Sequence, residues 1–516
     1  MTAAEHSPWP DGVFSGEQLS ADTAIDCDVA IVGSGAGGAT LGAELAESGL
    51  DVAILEEGPY VTTADFTSRA AATIGALYRD GGATIALGKP TMMYQEGRVV
   101  GGSTVINGGM SWRTPDSVLE RWHRQHRIDG IRAADMEPFF ARVEERIHVS
   151  HQDPETIGRD NELLRAGAEA MGWNVIGNLR NQMHCAGSNN CAFGCPTGAK
   201  QSALVTYIPR ALAFGARVYS RVRALRISRA GKRATGVEAR VVRQDGRLGA
   251  RIRVRSRLVV SACGAIHTPA LLGRSGFRSP SRQIGKNLSM HPNCKLIAIF
   301  DRDVRGWEGV HQAFQVREFQ DRGLVFAAVN VPPGIVAMSA PYAGRELGEF
   351  MRDYNRMVVA GALVEDTRFG RVWVDPTGQP RALYQLCDRD ADTLREGVAL
   401  LGELLFAAGA KRIILPFAGH HTVTSADQAR ALARANIPKA SMELFTVHMM
   451  GTARMGEDRS SAVTDSAGRV HDADRLFVCD ASLFPGPIGV NPMLTIQALA
   501  TRSAAHILDN YRRYLS

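Results

Sequence analysis

Long hydrophobic runs are missing from this 516-residue chain. No stretch of about 18 consecutive apolar residues occurs, so the sequence predicts no transmembrane helix. The first residues, MTAAEHSPWPDGVFSGEQ, carry neither a basic segment nor an apolar one, and hence no export signal. A cytoplasmic protein is expected on both grounds. Strong charge is also missing: Lys and Arg number 59 against 53 Asp and Glu, and the net charge is +6. The basic residues are scattered, which excludes the electrostatic footprint of a nucleic-acid binder. Internal repeats and low-complexity tracts are absent, which excludes solenoids and disordered linkers. Cysteine is scarce, at eight residues. In a reducing compartment that argues against a disulfide framework. What remains is an ordinary globular composition, 45% hydrophobic and 22% charged, on a chain too long for one core. Residues 1–24 read as a loose polar extension.

The most informative stretch is CDVAIVGSGAGGATLGAELAESGLDVAILEEGP, residues 27–59. A β-branched run from Asp28 to Val32 predicts a buried parallel strand. Gly33, Gly35 and Gly38 form GxGxxG, and Ala43, Leu45 and Ala46 follow at helical spacing until Gly49. Val52 to Leu55 predicts the second strand, closed by Glu56. This is a βαβ unit for a dinucleotide. The glycines admit a pyrophosphate at the helix N-terminus, and the carboxylate of Glu56 is placed to meet a ribose. The motif leaves NAD and FAD open.

Two further stretches point to a flavin. GRVVGGSTVINGGMSWR, residues 97–113, is a second Gly-rich run with apolar interleaving. Its backbone N–H groups suit a cofactor that extends beyond the first pyrophosphate contact. Near the C-terminus, Leu476 to Cys479 predicts a short strand ending at Asp480, then a Gly/Pro turn, then a long helix. Asn491 fits its N-cap and Pro492 its first turn. The free amides near Met493 would favour negative charge on a reduced flavin.

With these motifs together, the chain resembles the glucose–methanol–choline (GMC) oxidoreductase family. The segments that carry the resemblance are GSGAGG, GRVVGGSTVING, GAIHTPALLGRSG, IGKNLSMHP, HMMGTARMG and DASLFPGPIGVNPMLTIQALA, between about residues 27 and 508. The tail and CPTGAKQSALVTYIPRALAFGA are similar to the long-chain-alcohol-oxidase-like branch. The resemblance implies an α/β fold: a Rossmann-like FAD-binding domain interleaved with a substrate-binding domain on an antiparallel sheet. The expected boundaries are 25–115, 200–300 and 445–516 for the former, and 116–199 and 301–444 for the latter.

By the same resemblance Gly33, Gly35, Gly38 and Glu56 hold the ADP half, and Val222 meets the adenine through its backbone. Gly102, Ser103, Asn107 and Gly108 line the flavin, Asp480 and Ala481 reach the ribityl–phosphate region, and Pro492 and Met493 open the last helix beside it. Relatives that bind FAD covalently use a histidine where Ile106 stands, so non-covalent FAD is expected. The implied reaction is oxidation of an alcohol to an aldehyde or ketone. Hydride passes to flavin N5 and His448 serves as base, a role suited to histidine's pKa. Asn491 is its implied partner at the substrate oxygen. The acceptor is oxygen or an external partner. VFAAVNVPPGIVAMSAPYAG, in the expected pocket region, leans towards an apolar alcohol rather than a free sugar.

One stretch stays unassigned. HCAGSNNCAFGCPTGAK, residues 184–200, spaces Cys185, Cys191 and Cys195 as C-x₅-C-x₃-C. Zinc normally takes four ligands, whereas a three-iron cluster needs three thiolates on a loop. The spacing is similar to the cluster loop of FAD glucose and fructose dehydrogenases, and thiol-bearing loops without a cluster occur in the alcohol-oxidase-like branch. Both readings stand at the level of sequence: a 3Fe-4S cluster serving an FAD sugar or polyol dehydrogenase that passes electrons to a partner, or a structural thiol loop.

Overall fold

A computed structural model describes residues 9–515. It is a mixed α/β structure with two large sheets, each over its own apolar core. Residues 1–8 of the expected extension lie outside the described part. The rest of it is not loose. Val13–Ser15 pairs in parallel with Arg217–Ser220, and the strand Thr23–Val32 begins inside it.

The first sheet runs in the order Val13–Ser15, Arg217–Ser220, Val52–Leu55, Thr23–Val32, Leu248–Ser261, Arg233–Val242, Val222–Ala230. The first four pairings are parallel and the last two antiparallel. Leu248–Ser261 serves both modes, because its C-terminal end also pairs in parallel with Leu476–Val478. The parallel strands are covered on both faces, so Val29, Ile31, Val52 and Ile54 are fully buried, as their unbroken apolar runs require. The helix Ala36–Glu47 lies on this sheet, and the helix Met493–Asp509 packs against it.

The second sheet has thirteen strands and is mainly antiparallel. At its centre Asn293–Ile299, Met357–Val364 and Leu324–Val329 pair side by side. The helix Asp388–Ala407 covers one face through Leu394, Val398, Leu401 and Leu405. Along the strands, the other face is open to a cavity.

The segment boundaries differ from expectation. Thr84–Leu87 and Met92–Tyr94 pair into the second sheet, as does Asn293–Ile299. The helices Asp116–His126 and Ala133–Arg146, expected on the substrate side, bury Trp122 and Phe140 in the first core. Both cores are built from the same aliphatic residues, so composition carries no mark of which sheet a segment joins. No helix among the described residues is long and apolar enough to cross a membrane.

The first Gly-rich turn requires glycine by contact as well as by conformation. Gly33 has φ +101°, and a Cβ on Gly38 would sit 1.9 Å from the carbonyl oxygen of Gly33. Gly38→Ala must open the turn, and a loss of at least about 2 kcal/mol of stability is expected. Chemical denaturation with flavin retention as a second readout tests this; unchanged stability would show that the turn is not close-packed.

Candidate functional site

A single cavity of about 970 Å³ runs from the first Gly-rich turn to the open face of the second sheet. Its lining includes Gly33, Gly35 and Glu56 from the first Gly-rich unit, Gly102, Ser103, Asn107 and Gly108 from the second Gly-rich run, and His448, Asp480, Ala481, Asn491, Pro492 and Met493 from the C-terminal part. Val222 lies at the nucleotide end. Gly38 does not line the cavity; it lets the helix pack on the turn.

The two Gly-rich runs touch. A Cβ on Gly102 would lie 2.7 Å from the Cα of Gly35. Gly102 also has φ +54°, a conformation glycine adopts freely. Ser34 locks the contact: its Oγ donates to Glu56 (2.7 Å) and accepts from the Gly101 N–H (3.1 Å). Gly35 caps the helix Ala36–Glu47 with no side chain, so the first amides of that helix face the cavity unopposed. Bare amides over two touching glycine turns form a cradle that a side chain would fill. The residues present fit a dinucleotide pyrophosphate there.

Several implied contacts are otherwise engaged. Glu56 accepts from the Ser34 N–H and hydroxyl at Oε2 and from the Gly58 N–H at Oε1, so its carboxylate braces the turn while Oε1 keeps acceptor capacity for a ribose. Burial raises its pKa, against the pull of those donors. The Val222 N–H donates to the carbonyl of Glu56 at 2.8 Å and is therefore spent within the sheet. Asp480 accepts from the Gly264 N–H and from Thr268 and Ser482, holding the neighbouring turns in place.

The last helix starts later than expected. Its first residue is Met493 and its N-cap is Pro492, with no side-chain cap. Asn491 thus has no capping duty, and its Nδ2 lies 3.4 Å from Nε2 of His448. Met493 turns back to the second Gly-rich run, where its Sδ accepts from Nδ2 of Asn107 at 3.0 Å.

Sequence reasoning left His291, in IGKNLSMHP, as a structural residue. It is fully buried, and its Nδ1 lies 3.2 Å from Nδ1 of His448. Its Nε2 accepts the N–H groups of Ile488 and Gly489, both at 3.3 Å. A neutral imidazole that accepts at one nitrogen carries its proton on the other. Nδ1 of His291 therefore donates to Nδ1 of His448, and the proton of His448 sits on Nε2; the approach of the Asn491 NH₂ to it is then a meeting of two donors and not a hydrogen bond. Desolvation lowers the pKa of His448 to about 4 and that of His291 well below 6.5. Both rings are neutral near pH 7.

The cysteine loop does not fit a cluster. Cys191 accepts from the Arg180 guanidinium at 3.4 Å, and Cys195 from the Lys200 N–H at 3.5 Å. Cys185 packs instead beside Val310 and Phe314. Among the described residues no group of three or more His, Cys, Asp or Glu side chains is placed to hold a metal. The loop's role is architectural: Ala192 and Phe193 line the cavity, and Tyr78 donates to the carbonyl of Ala192 at 2.6 Å. Its last residue, Lys200, was missed by sequence reasoning. The buried ammonium donates to the carbonyls of Val105 (2.7 Å), Asn107 (2.9 Å) and Cys191 (2.6 Å), clamping the loop to the second Gly-rich run. Desolvation brings its pKa down to about 8. The only sequence signal was a lone lysine in the run PTGAKQSA.

A glycine cradle opening onto a polar pair at a sheet-walled pocket defines a class, the FAD-dependent oxidoreductases acting on CH–OH donors. Comparison with known proteins agrees. Residues 28–82 match an FAD binding domain, and residues 74–293 and 368–500 match GMC oxidoreductase. The chain belongs to the GMC oxidoreductase family. It is 34% identical over 499 residues to a GMC-type oxidoreductase of Sinorhizobium fredii, covering 96% of this chain and 98% of that one. It is 30% identical to a long-chain-alcohol oxidase of Arabidopsis thaliana, covering 94% of this chain and 68% of the plant protein. The structure of pyridoxine 4-oxidase from Mesorbium loti has the same fold, with a TM-score of 0.72 at 20% identity, covering 94% of this chain and 99% of that one.

Lys200→Met would strand three carbonyls around an apolar side chain. A stability loss of at least about 2 kcal/mol is expected, since each buried polar group left unpaired costs roughly 1–3 kcal/mol. Flavin should also wash out faster on ultrafiltration. A variant as stable and as yellow as the parent would show that the clamp is dispensable.

Proposed function

We propose that the protein oxidises a small-molecule alcohol to the aldehyde or ketone, with His448 and Asn491 flanking the reacting carbon. The observation that carries this is the 3.4 Å approach of Asn491 Nδ2 to Nε2 of His448, which sets two polar side chains together on the cavity wall beside the second Gly-rich run. Bound FAD would supply the hydride acceptor, with oxygen as the final acceptor that the relatives' oxidase names support. Ile106 offers no nucleophile to the cofactor, which supports non-covalent binding.

The chain's own part is to hold the alcohol and move its proton. In the resting pair, the Nε2–H of His448 donates to the substrate oxygen, and the Asn491 amide holds that oxygen from the other side. To take the hydroxyl proton, Nε2 must first be bare. That requires His448 to carry its proton on Nδ1 and His291 on Nε2, where it meets the N–H groups of Ile488 and Gly489. His291 is thus a positioning residue: it sets which nitrogen of His448 is free. Burial keeps the His448 ring neutral throughout the physiological range and also makes it a weaker base than an exposed histidine.

Three measurements test this proposal. Anaerobic flavin reduction by uncharged alcohols should be flat from about pH 5 to 8, since protonation of His448 begins only near its depressed pKa of about 4. His448→Ala should keep its FAD and slow reduction by at least about 10²-fold, the usual contribution of a general base. Normal reduction by that variant would remove His448 from the chemistry. Acid precipitation should leave the yellow colour in the supernatant; colour in the pellet would mean a covalent flavin.

A further inference from the structure

The open face of the second sheet carries an ammonium group whose one printed contact among the described residues is an aromatic ring. Asn293, Lys295 and Ile297 alternate along one strand and all line the cavity. Lys295 lies opposite Gly361, which lies opposite Ala327, so small residues leave space beside its side chain. The surrounding floor is apolar, built from Val325, Val329, Val359 and Leu363. The Lys295 Nζ stands 4.0 Å from the centre of the Phe445 ring, and among the described residues it has neither a carboxylate nor a carbonyl partner.

The other cations of the cavity are matched. Arg79 and Arg223 pair with Glu57, Arg381 pairs with Asp375, and Arg274 donates to the carbonyls of Leu225 and Gly378. The cavity's carboxylates lie on other segments: Glu56 and Asp480 are hydrogen-bonded elsewhere, Glu57 and Glu96 lie against Arg79, Asp80 follows Arg79, and Glu443 is exposed. Desolvation alone brings the Lys295 ammonium down to about 8, so it remains mostly charged at neutral pH. An unpaired charge on an apolar wall is unfavourable unless a ligand answers it.

We propose that Lys295 is the counter-ion for a carboxylate on the substrate, so that the cavity takes a hydroxy acid whose alcohol meets His448 and Asn491 and whose carboxylate meets Lys295 across an apolar linker. This rests on the alcohol-oxidation reading above and narrows its substrate class. A carboxylate fits better than a phosphate, because one ammonium supplies a single point charge and a phosphoryl dianion calls for several donors. Gln315, which also lines the cavity, adds one amide: its Oε1 accepts from Arg317 at 2.9 Å, which directs its NH₂ elsewhere. The apolar floor between the two ends suits an alkyl chain.

The test uses the FAD-loaded protein and a matched series: ω-hydroxydecanoate, its methyl ester and decanol. Anaerobic flavin reduction by the hydroxy acid should exceed that by the ester by roughly 30-fold or more in kcat/KM, the scale of a buried charge pair losing one partner. Lys295→Met should bring that ratio near one, and Lys295→Arg should keep most of it. Decanoate, which carries no alcohol, should perturb the flavin spectrum of the parent and not of Lys295→Met. A ratio near one in the parent, with ester and decanol both active, would overturn the carboxylate site and leave alcohol oxidation standing. If no member of the series reduces the flavin, the alcohol reading falls, and the decanoate titration decides the site by itself. A ligand-free Lys295→Met protein with an altered flavin spectrum or potential would place the ammonium against the cofactor and overturn the proposal.

Discussion

The contact between Gly35 and Gly102 holds the site together. Two loops that are 67 residues apart in sequence meet backbone to backbone, and Ser34 ties them by donating to Glu56 while accepting from Gly101. Any side chain at Gly102 would drive the loops apart. Because Gly101–Thr104 leads into the loop that Lys200 and Met493 grip, this one approach also sets where Asn107 and Gly108 stand. The cavity is continuous from the nucleotide end to the second sheet for that reason.

Burial without full pairing recurs along the cavity, and it has different consequences at different points. Lys200 loses solvation and recovers it from three carbonyls, which makes it a clamp. His448 and His291 lose solvation and stay neutral, which fixes their protons by hydrogen bonding alone. Lys295 loses solvation and, among the described residues, recovers an aromatic face alone. A group satisfied by the protein reads as structure, and a group left wanting a partner points to what the cavity receives.

The paired histidines create a tension within the chain. The backbone amides of Ile488 and Gly489 favour a proton on Nδ1 of His291, which leaves Nε2 of His448 as a donor. A base needs the opposite arrangement. In the proposed reaction, the Gly/Pro turn that places those two amides would therefore bear on the proton step without touching substrate.

Local pattern alone determined the βαβ unit, the positions of its glycines and the family. Those features rest on short-range periodicity and on turns that only glycine can make, and both are written in consecutive residues. His448 and Asn491 were legible because their motifs are contiguous. The tertiary structure decided what depends on distant partners. Glu56 bonds Ser34 and Gly58, Val222 spends its N–H on Glu56, and Asn491 stands one residue outside the helix it was expected to cap. The three cysteines are close in sequence but take separate partners, because the loop turns Cys191 towards Arg180 and packs Cys185 beside Phe314. His291, Lys200 and Lys295 were invisible for the same reason: a single polar residue acquires its meaning only from what the fold brings within hydrogen-bonding reach, or leaves out.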